Sequence, residues 1–537
     1  MNRLFFGDNL PILRERIGDE SVDLIYLDPP FNSDASYNVL FRSPAGEISP
    51  AQLEAFGDTW HWNQSAEDAF DQVMRSGNSD ASEMLRSMRG FLKENDMMAY
   101  LAMMAIRLIE LKRVLKGSGS IYLHCDPTAS HYLKIMMDAI FGKLNYRGEI
   151  IWRRTNARGT AGKWPRLHDT IFFYSKSDEF HFVSQKVKAE VNKTPHTLIT
   201  GADGQKFQTY ELTGAGVTKQ GESGTAWRGF DPNKFGRHWG YSHKQLEEWS
   251  EAGVIHWPKD NGFPRRRDAE PFDPNSRQIV VGSVWTDIDR LNQASKERLG
   301  YPTQKPLALL ERILAASSNE GDLVLDPFCG CGTTVHAAEK LKRNWIGIDI
   351  THLAVSLIRR RLIDAFPQCQ FDVLGAPTDI GGARQLAEND KHQFQLWALS
   401  LVEAQPFKGG RKGADGGVDG YLYFKPDGKT TEKAVVSVKG GANVGVSMVR
   451  DLIATVEREG AKIGVFLTLE EPTTRMRTEA TAAGFYESPL HGKFAKIQIL
   501  TIEDILNGSK PHLPWIDSSV FRKAKRENTT PQGNLDL

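Results

Sequence analysis

Residues 323–334, LVLDPFCGCGTT, run from an apolar strand through a glycine loop into a helix, and this stretch decides the fold. The strand delivers Asp326 to its carboxyl edge. Phe328 lies in the loop, and Gly330 and Gly332 remove the side chains that would keep a ligand off the backbone. The helix that follows, TTVHAAEKLKR, points its amino end into the same crevice. About twenty residues further on, NWIGIDI ends a second strand at Asp349, a position suited to hold two ribose hydroxyls. A nucleoside-bearing ligand fits this arrangement, and a glycine turn without a ligand is the plain alternative. A nicotinamide dinucleotide is the rival, but the loop lacks the third glycine of that fingerprint.

Working outward, the amino-terminal stretch reads as a turn (FFGDNL), a short helix (PILRERIG) and the strand VDLIYLD, which stops abruptly at PPFN. Asp28 is thereby placed at a strand's carboxyl edge. An aromatic amine is a weak nucleophile because its lone pair is delocalised into the ring. Two acceptors, the Asp28 carboxylate and the Pro29 carbonyl, can each take one N–H and free that lone pair. Pro29 and Pro30 stiffen the loop, and Phe31 offers a face on which an extruded base can stack. A proline-rich turn with Phe31 merely buried is the structural alternative. Residues 96–116 carry helical periodicity, and GSGSIYLHCD adds a turn and a strand. Strand and helix alternation of this kind predicts an α/β fold with a Rossmann-like doubly wound sheet.

The pattern breaks over about 176–300, a polar region rich in Gly, Trp and Arg that reads as an inserted lobe within a first domain spanning 1–375. DNA contact is expected there, from Arg228, Arg237, Arg265, Arg266 and Arg267 among Trp227, Trp239 and Trp257. A solvated basic loop is the alternative for any one of these arginines. Residues 376–392 read as a linker, 393–507 as a smaller α/β unit, and 508–537 as a tail without usable periodicity.

Composition narrows the class. The 537 residues exceed one hydrophobic core, and 40% apolar with 25% charged residues is an ordinary globular balance. Lys plus Arg and Asp plus Glu number 67 each, so a nucleic-acid surface has to be a local patch. Cys125, Cys329, Cys331 and Cys369 are too few for a disulfide framework, and Cys329 with Cys331 lack the neighbours a zinc site needs. No run is long and apolar enough to span a membrane and MNRLFFGDNL lacks a signal-peptide core, which predicts a cytoplasmic protein.

The chain resembles the amino-methyltransferases of the β permuted class, including modification subunits of type III restriction systems. The matching pieces are FFGDNL, DLIYLDPPFN, GEIIWRRTN, HDTIFFYSKS, GRHWGYSHKQLEE, ERLGYPTQKP, and VLDPFCGCGTT through WIGIDI, over residues 1 to about 370. The resemblance implies S-adenosylmethionine as cofactor, Asp8 near its adenine, Thr303 and Lys305 along its methionine side, and Asp28 to Phe31 as the catalytic loop. An acidic first residue in DPPF implies adenine-N6 rather than cytosine-N4 transfer, by base flipping and direct in-line displacement. Double-stranded DNA is the implied partner, with a homodimer and a separate restriction subunit as the protein assemblies to consider.

Within 393–507 the order is helix (HQFQLWALSLVEA), a glycine-rich loop (FKGGRKGADGGVDG), strands YLYFK and AVVSVKGG, a helix and the strand KIGVFLTL. This unit resembles the nuclease domain of Mrr-like restriction enzymes. Asp419 and Lys439 match its metal-site pattern, Asp419 as a ligand to Mg2+, but Ser437 stands where glutamate or glutamine is usual. Asp415 or Glu403 is the candidate replacement ligand. Three readings follow: a methyltransferase with a DNA-binding remnant, a single-chain restriction-modification enzyme, or a cofactor-sensing DNA-binding protein without turnover.

Overall fold

A computed structural model describes residues 2–30, 36–42, 48–57, 61–156, 162, 164–188, 198–200, 204–218, 221–257, 263–268, 270–272, 278–292, 295, 297–299, 301, 303–407, 417–427, 430–514 and 524–527, with backbone alone for 36–57. The protein is α/β. It divides into two compact units, Met1–Val183 with Gly282–Leu537, and Ser184–Val281.

The larger unit is built on nine strands: β1 Asn2–Phe6, β2 Val22–Leu27, β3 Leu115–Cys125, β4 Tyr146–Arg153, β5 His168–Ser175, β6 Val284–Trp285, β7 Leu323–Asp326, β8 Asn344–Asp349 and β9 Phe371–Leu374. Their order is β6-β4-β5-β3-β2-β7-β8-β1-β9. All neighbours are parallel except β5, which runs antiparallel to β3 and β4. β2 and β7, far apart in sequence, are hydrogen-bonded neighbours in register Leu24 with Val324 and Ile25 with Leu325. A parallel sheet covered on both faces demands near-continuous apolar strands, and Leu24, Ile25, Leu27, Leu123, Leu325 and Ile348 are fully buried.

Two expected elements differ. NRLFF, at the edge of the stretch read as a turn, forms β1 because it finds parallel partners on both sides, β8 and β9. Its pairing is non-local, so no short-range pattern announces it. Residues 380–389, read as linker, form the helix Ile380–Asn389 with Ala383 and Ala387 buried in the carboxy-terminal core. Its two leading glycines depress helix propensity, and burial outweighs them. No helix among the described residues is long and apolar enough to cross a membrane.

The smaller α/β region continues the larger unit. Its strands are β10 Gln405–Pro406, β11 Gly420–Phe424, β12 Glu432–Lys439, β13 Ile463–Thr468 and β14 Ile497–Thr501, in that spatial order. β10, β11 and β12 pair antiparallel, and β12, β13 and β14 pair parallel. Helix Lys391–Leu401 covers one face through Phe394, Trp397 and Leu399, and helix Val446–Arg458 the other through Val449, Leu452 and Val456. Beyond it, Glu527 returns to the first domain: its amide donates to the Ala365 carbonyl at 3.0 Å.

The unit Ser184–Val281 holds an antiparallel sheet in the order Ile255–His256, Arg265–Arg267, Lys206–Glu211, Leu198–Thr200. Its core is Leu212, Trp227, Trp239 and Leu246.

Candidate active site

Three strands end at one cavity of ≈ 230 Å3. β2 leads to Asp28, β7 ends at Asp326 and β8 at Asp349, and all three carboxylates line it. Asp349 ties the glycine loop to its strand end. One oxygen accepts from the Gly330 amide at 2.8 Å, the other from the Thr351 amide and hydroxyl at 2.9 Å each. Burial nonetheless lifts its carboxyl to about 6, against those donors. Asp326 is 3% exposed and accepts from the Phe328 amide at 3.0 Å. Burial raises it to about 7, with the charges of Asp28 and Asp349 adding to the effect.

The two loop glycines are required by backbone and space. Gly330 has φ +53° and lies under the Tyr301 ring, while Gly332 has φ +74° and a Cβ there would stand 2.8 Å from Ile358. Arg361, 3% exposed, holds the loop from behind through the Cys331 carbonyl at 3.1 Å and the Thr333 hydroxyl at 3.0 Å.

Asp28 pairs through one oxygen with the Lys305 ammonium. Its other oxygen is buried without a hydrogen-bond partner among the described residues. A buried carboxylate oxygen left unmatched is costly, and it faces a cavity that offers room for a donor. Pro29 is buried and Pro30 lines the cavity, whereas Phe31 lies outside the described residues. Thr303 and Asp8 also line it. Asp8 caps the helix Asn9–Arg16 by accepting from the Leu10 amide at 3.0 Å and pairs with Arg107 at 2.8 Å.

Several contributors fall outside the motifs read from the sequence. Asn9 donates to the Pro327 carbonyl at 2.8 Å and accepts from Arg107 at 2.6 Å, which locks the first turn of the chain to the glycine loop. Arg107 is the one charged residue on the buried side of helix Asp96–Val114, and that misfit is the signal that marks it. Tyr26, two residues before Asp28, lines the cavity and hydrogen-bonds His124 at 2.8 Å. His124 reaches Asp169 at 3.2 Å, and Asp169 pairs with Arg154 at 3.2 Å.

The lining fits S-adenosylmethionine. Asp8, Asp28, Asp326 and Asp349 outnumber Arg107 and Lys305, and a ligand of net positive charge would ease the repulsion that Asp28 and Asp349 add to the larger effect of burial on Asp326. The glycine loop supplies close backbone approach and Asp349 the acceptor suited to ribose hydroxyls.

In the inserted unit every arginine proposed for DNA has a protein partner. Arg228 pairs with Glu247, Arg237 with Glu211 at 2.5 Å, Arg265 with Glu211 at 3.7 Å, and Arg266 with Asp268 at 3.9 Å. Arg266 also lies over the rings of Tyr210 and Trp249, and Arg267 over Phe207. Trp227 and Trp239 are buried in the core, with Trp257 stacked on Trp227.

At the carboxy-terminal site Asp419 is buried and its carboxylate accepts from Gln395 at 2.5 Å, from the Val438 amide at 2.6 Å and from the Ser437 hydroxyl at 3.3 Å, with Lys439 at 3.8 Å. Gln395 was not among the expected residues; it sits on helix Lys391–Leu401, one turn before Leu399. Glu403 is 3.6 Å from Arg360, and Asp415 lies outside the described residues. No group of three or more His, Cys, Asp or Glu able to hold a metal occurs among the described residues.

The chain belongs to the DNA methylase family, whose model matches residues 22–360. A restriction endonuclease model matches residues 386–490. Among relatives, the type II methyltransferase M.EcaI of Enterobacter cloacae is 29% identical over 366 residues, 67% of this chain and 69% of that protein. The Mod subunit of the type III restriction-modification enzyme StyLTI of Salmonella typhimurium is 25% identical over 63% of this chain and 50% of its own length. The DNA adenine methyltransferase YhdJ of Escherichia coli is 47% identical over 92 residues, 17% of this chain and 31% of that protein.

Proposed function

We propose that the protein transfers a methyl group from S-adenosylmethionine to N6 of adenine in double-stranded DNA, at a specific site and within restriction-modification or defence. The observation that carries this reading is the buried, unpartnered oxygen of Asp28 in the cavity that Gly330 and Asp349 also line. S-adenosylmethionine would supply an electrophilic methyl group; Asp349, Asp326, Phe328, Gly330 and Gly332 would hold its nucleoside, with Asp8, Thr303 and Lys305 around it. Asp28 accepts one amine hydrogen and the Pro29 carbonyl the second, which pyramidalises the nitrogen. Lys305 fixes the Asp28 carboxylate through its other oxygen. The resemblance to an adenine methyltransferase over 92 residues supports adenine as the base. A cytoplasmic setting accords with this work on DNA. A homodimer or a separate restriction subunit is the assembly that mass measurement on the purified protein would reveal.

The test is product identity. DNA incubated with the protein and S-adenosylmethionine, digested to nucleosides and analysed by mass spectrometry, should contain N6-methyladenine. Methylcytosine alone would overturn the adenine assignment, and absence of any methylated base would overturn the activity.

A second reading, DNA cleavage with Mg2+, is favoured by the approach of Lys439 to Asp419 and by the endonuclease match. It requires Asp419 to exchange its present donors for the ion. Incubation of DNA with the protein and Mg2+, with and without S-adenosylmethionine, decides it: cleavage that Lys439→Ala abolishes sustains this reading, and intact DNA removes it.

A further inference from the structure

The most exposed large apolar side chain among the described residues is Trp164, at 95%. It lies on the connection between β4 and β5, over a sequence, RRTNARGTAGKWPRLH at 153–168, that contains no acidic residue. Lone exposed apolar residues are common and call for no explanation, but this one is placed. β4 runs parallel to β3 and β2 across the sheet, with antiparallel β5 between β4 and β3. The β4–β5 connection therefore leaves the same edge as Asp28.

The foot of the connection is pinned there. The Arg154 and Thr155 amides both donate to the Leu167 carbonyl, at 2.9 and 3.2 Å. Arg154 pairs with buried Asp169, which His124 joins to Tyr26 in the cavity wall. Arg166 donates to the Thr128 hydroxyl at 2.9 Å, and Thr128 is held by Asp126 at the end of β3. Arg153 precedes and Arg166 follows Trp164 in the chain; both are exposed, and Arg153 donates to the Thr286 carbonyl at 3.0 Å. An exposed indole and two exposed guanidinium groups on one connection at the catalytic edge fit a partner that combines flat aromatic faces with phosphates. Extruding a base leaves its neighbours unstacked, and an aromatic side chain compensates for that loss.

We propose that Trp164 stacks on the DNA bases next to the extruded nucleotide, with Arg153 and Arg166 on the adjoining phosphates. The proposal rests on the DNA-directed reading of the Asp28 cavity. It assigns substrate engagement to the β4–β5 connection in addition to the inserted unit.

The test uses the full chain with Trp164→Ala and Trp164→Phe, binding of a mixed-sequence duplex by anisotropy, methyl incorporation into genomic DNA, and S-adenosylmethionine affinity. Base–aromatic stacking predicts that Trp164→Ala weakens duplex binding and lowers kcat/KM for DNA about 5- to 100-fold. Cofactor affinity and melting temperature should stay unchanged, and Trp164→Phe should recover most of the loss. Wild-type duplex affinity in Trp164→Ala would overturn the proposal, as would a parallel fall in cofactor affinity, or a change confined to oligomeric mass. If the wild-type protein incorporates no methyl groups, the reading of the cavity fails, while the duplex-binding comparison still decides the role of Trp164.

Discussion

Asp28 and Asp419 are both aspartates beside strand ends with a lysine nearby, and the structure treats them in opposite ways. At Asp28 one oxygen engages Lys305 and the other is buried without a partner beside an open cavity. At Asp419 the carboxylate already accepts from Gln395, Ser437 and the Val438 amide, with Lys439 close by. Residue type and spacing are therefore a poor guide to chemistry on their own. An acceptor whose lone pairs are spent on its own protein stabilises the fold, while one left unsatisfied is available to a substrate.

The contrast can be broken in several ways, beginning with the glycine loop that lines the Asp28 cavity. Gly332→Ala combines a left-handed backbone with a Cβ 2.8 Å from Ile358, and should cost about 2–4 kcal/mol in denaturant unfolding together with most of the cofactor affinity. A loss under ~1 kcal/mol would show that the loop relaxes freely.

Next in size is the direct comparison of the two carboxylates. Asp419→Ala strands the Val438 amide and Gln395 and should destabilise by about 2–3 kcal/mol, whereas Asp28→Ala should stay within about 1 kcal/mol of wild type. Equal melting temperatures for the two variants would contradict the assignment of Asp419 to structure.

The raised carboxyls give a pH signature of smaller amplitude. Asp326 at about 7 and Asp349 at about 6 keep protons that a cationic ligand would displace. Affinity for S-adenosylmethionine should rise as pH climbs through 6 to 7 and level off above, with proton release on binding visible by calorimetry in buffers of different ionisation enthalpy. For folding the sign is reversed. Between about pH 4 and 7 the unfolded chain has lost these protons and the folded one holds them, so stability falls over that window and is flat beyond it. An affinity independent of pH would mean that neither group senses the ligand.

The smallest effect concerns Tyr26, whose hydroxyl joins His124 at 2.8 Å. Tyr26→Phe removes that bond and should cost about 1 kcal/mol with methyl transfer lowered only a few-fold; complete inactivation would instead make the hydroxyl part of the chemistry.

What could be read from the sequence follows from how local each signal is. LVLDPFCGCGTT and DLIYLDPP announce their strand ends because strand, stop and glycine lie in consecutive residues. The contacts that bring these pieces together span 318 residues for Asn9 with Pro327, 277 for Lys305 with Asp28, and 98 for Tyr26 with His124. Such pairings depend on sheet order and side-chain packing, to which no short pattern is sensitive. The same limit applies to Gln395, read as an ordinary helix residue until its amide meets Asp419. The arginines of the inserted unit show the converse, since a basic, aromatic composition is equally the signature of a small lobe held together by Arg–Glu pairs and ring stacking.

The central claim is that the unsatisfied oxygen of Asp28 receives the amine of the target base. Single-turnover methyl transfer by Asp28→Asn, measured beside its equilibrium affinity for S-adenosylmethionine, tests it most directly. Transfer should fall by at least ~10²-fold while the cofactor Kd stays within a few-fold of wild type. Transfer at the wild-type rate by Asp28→Asn would contradict the claim.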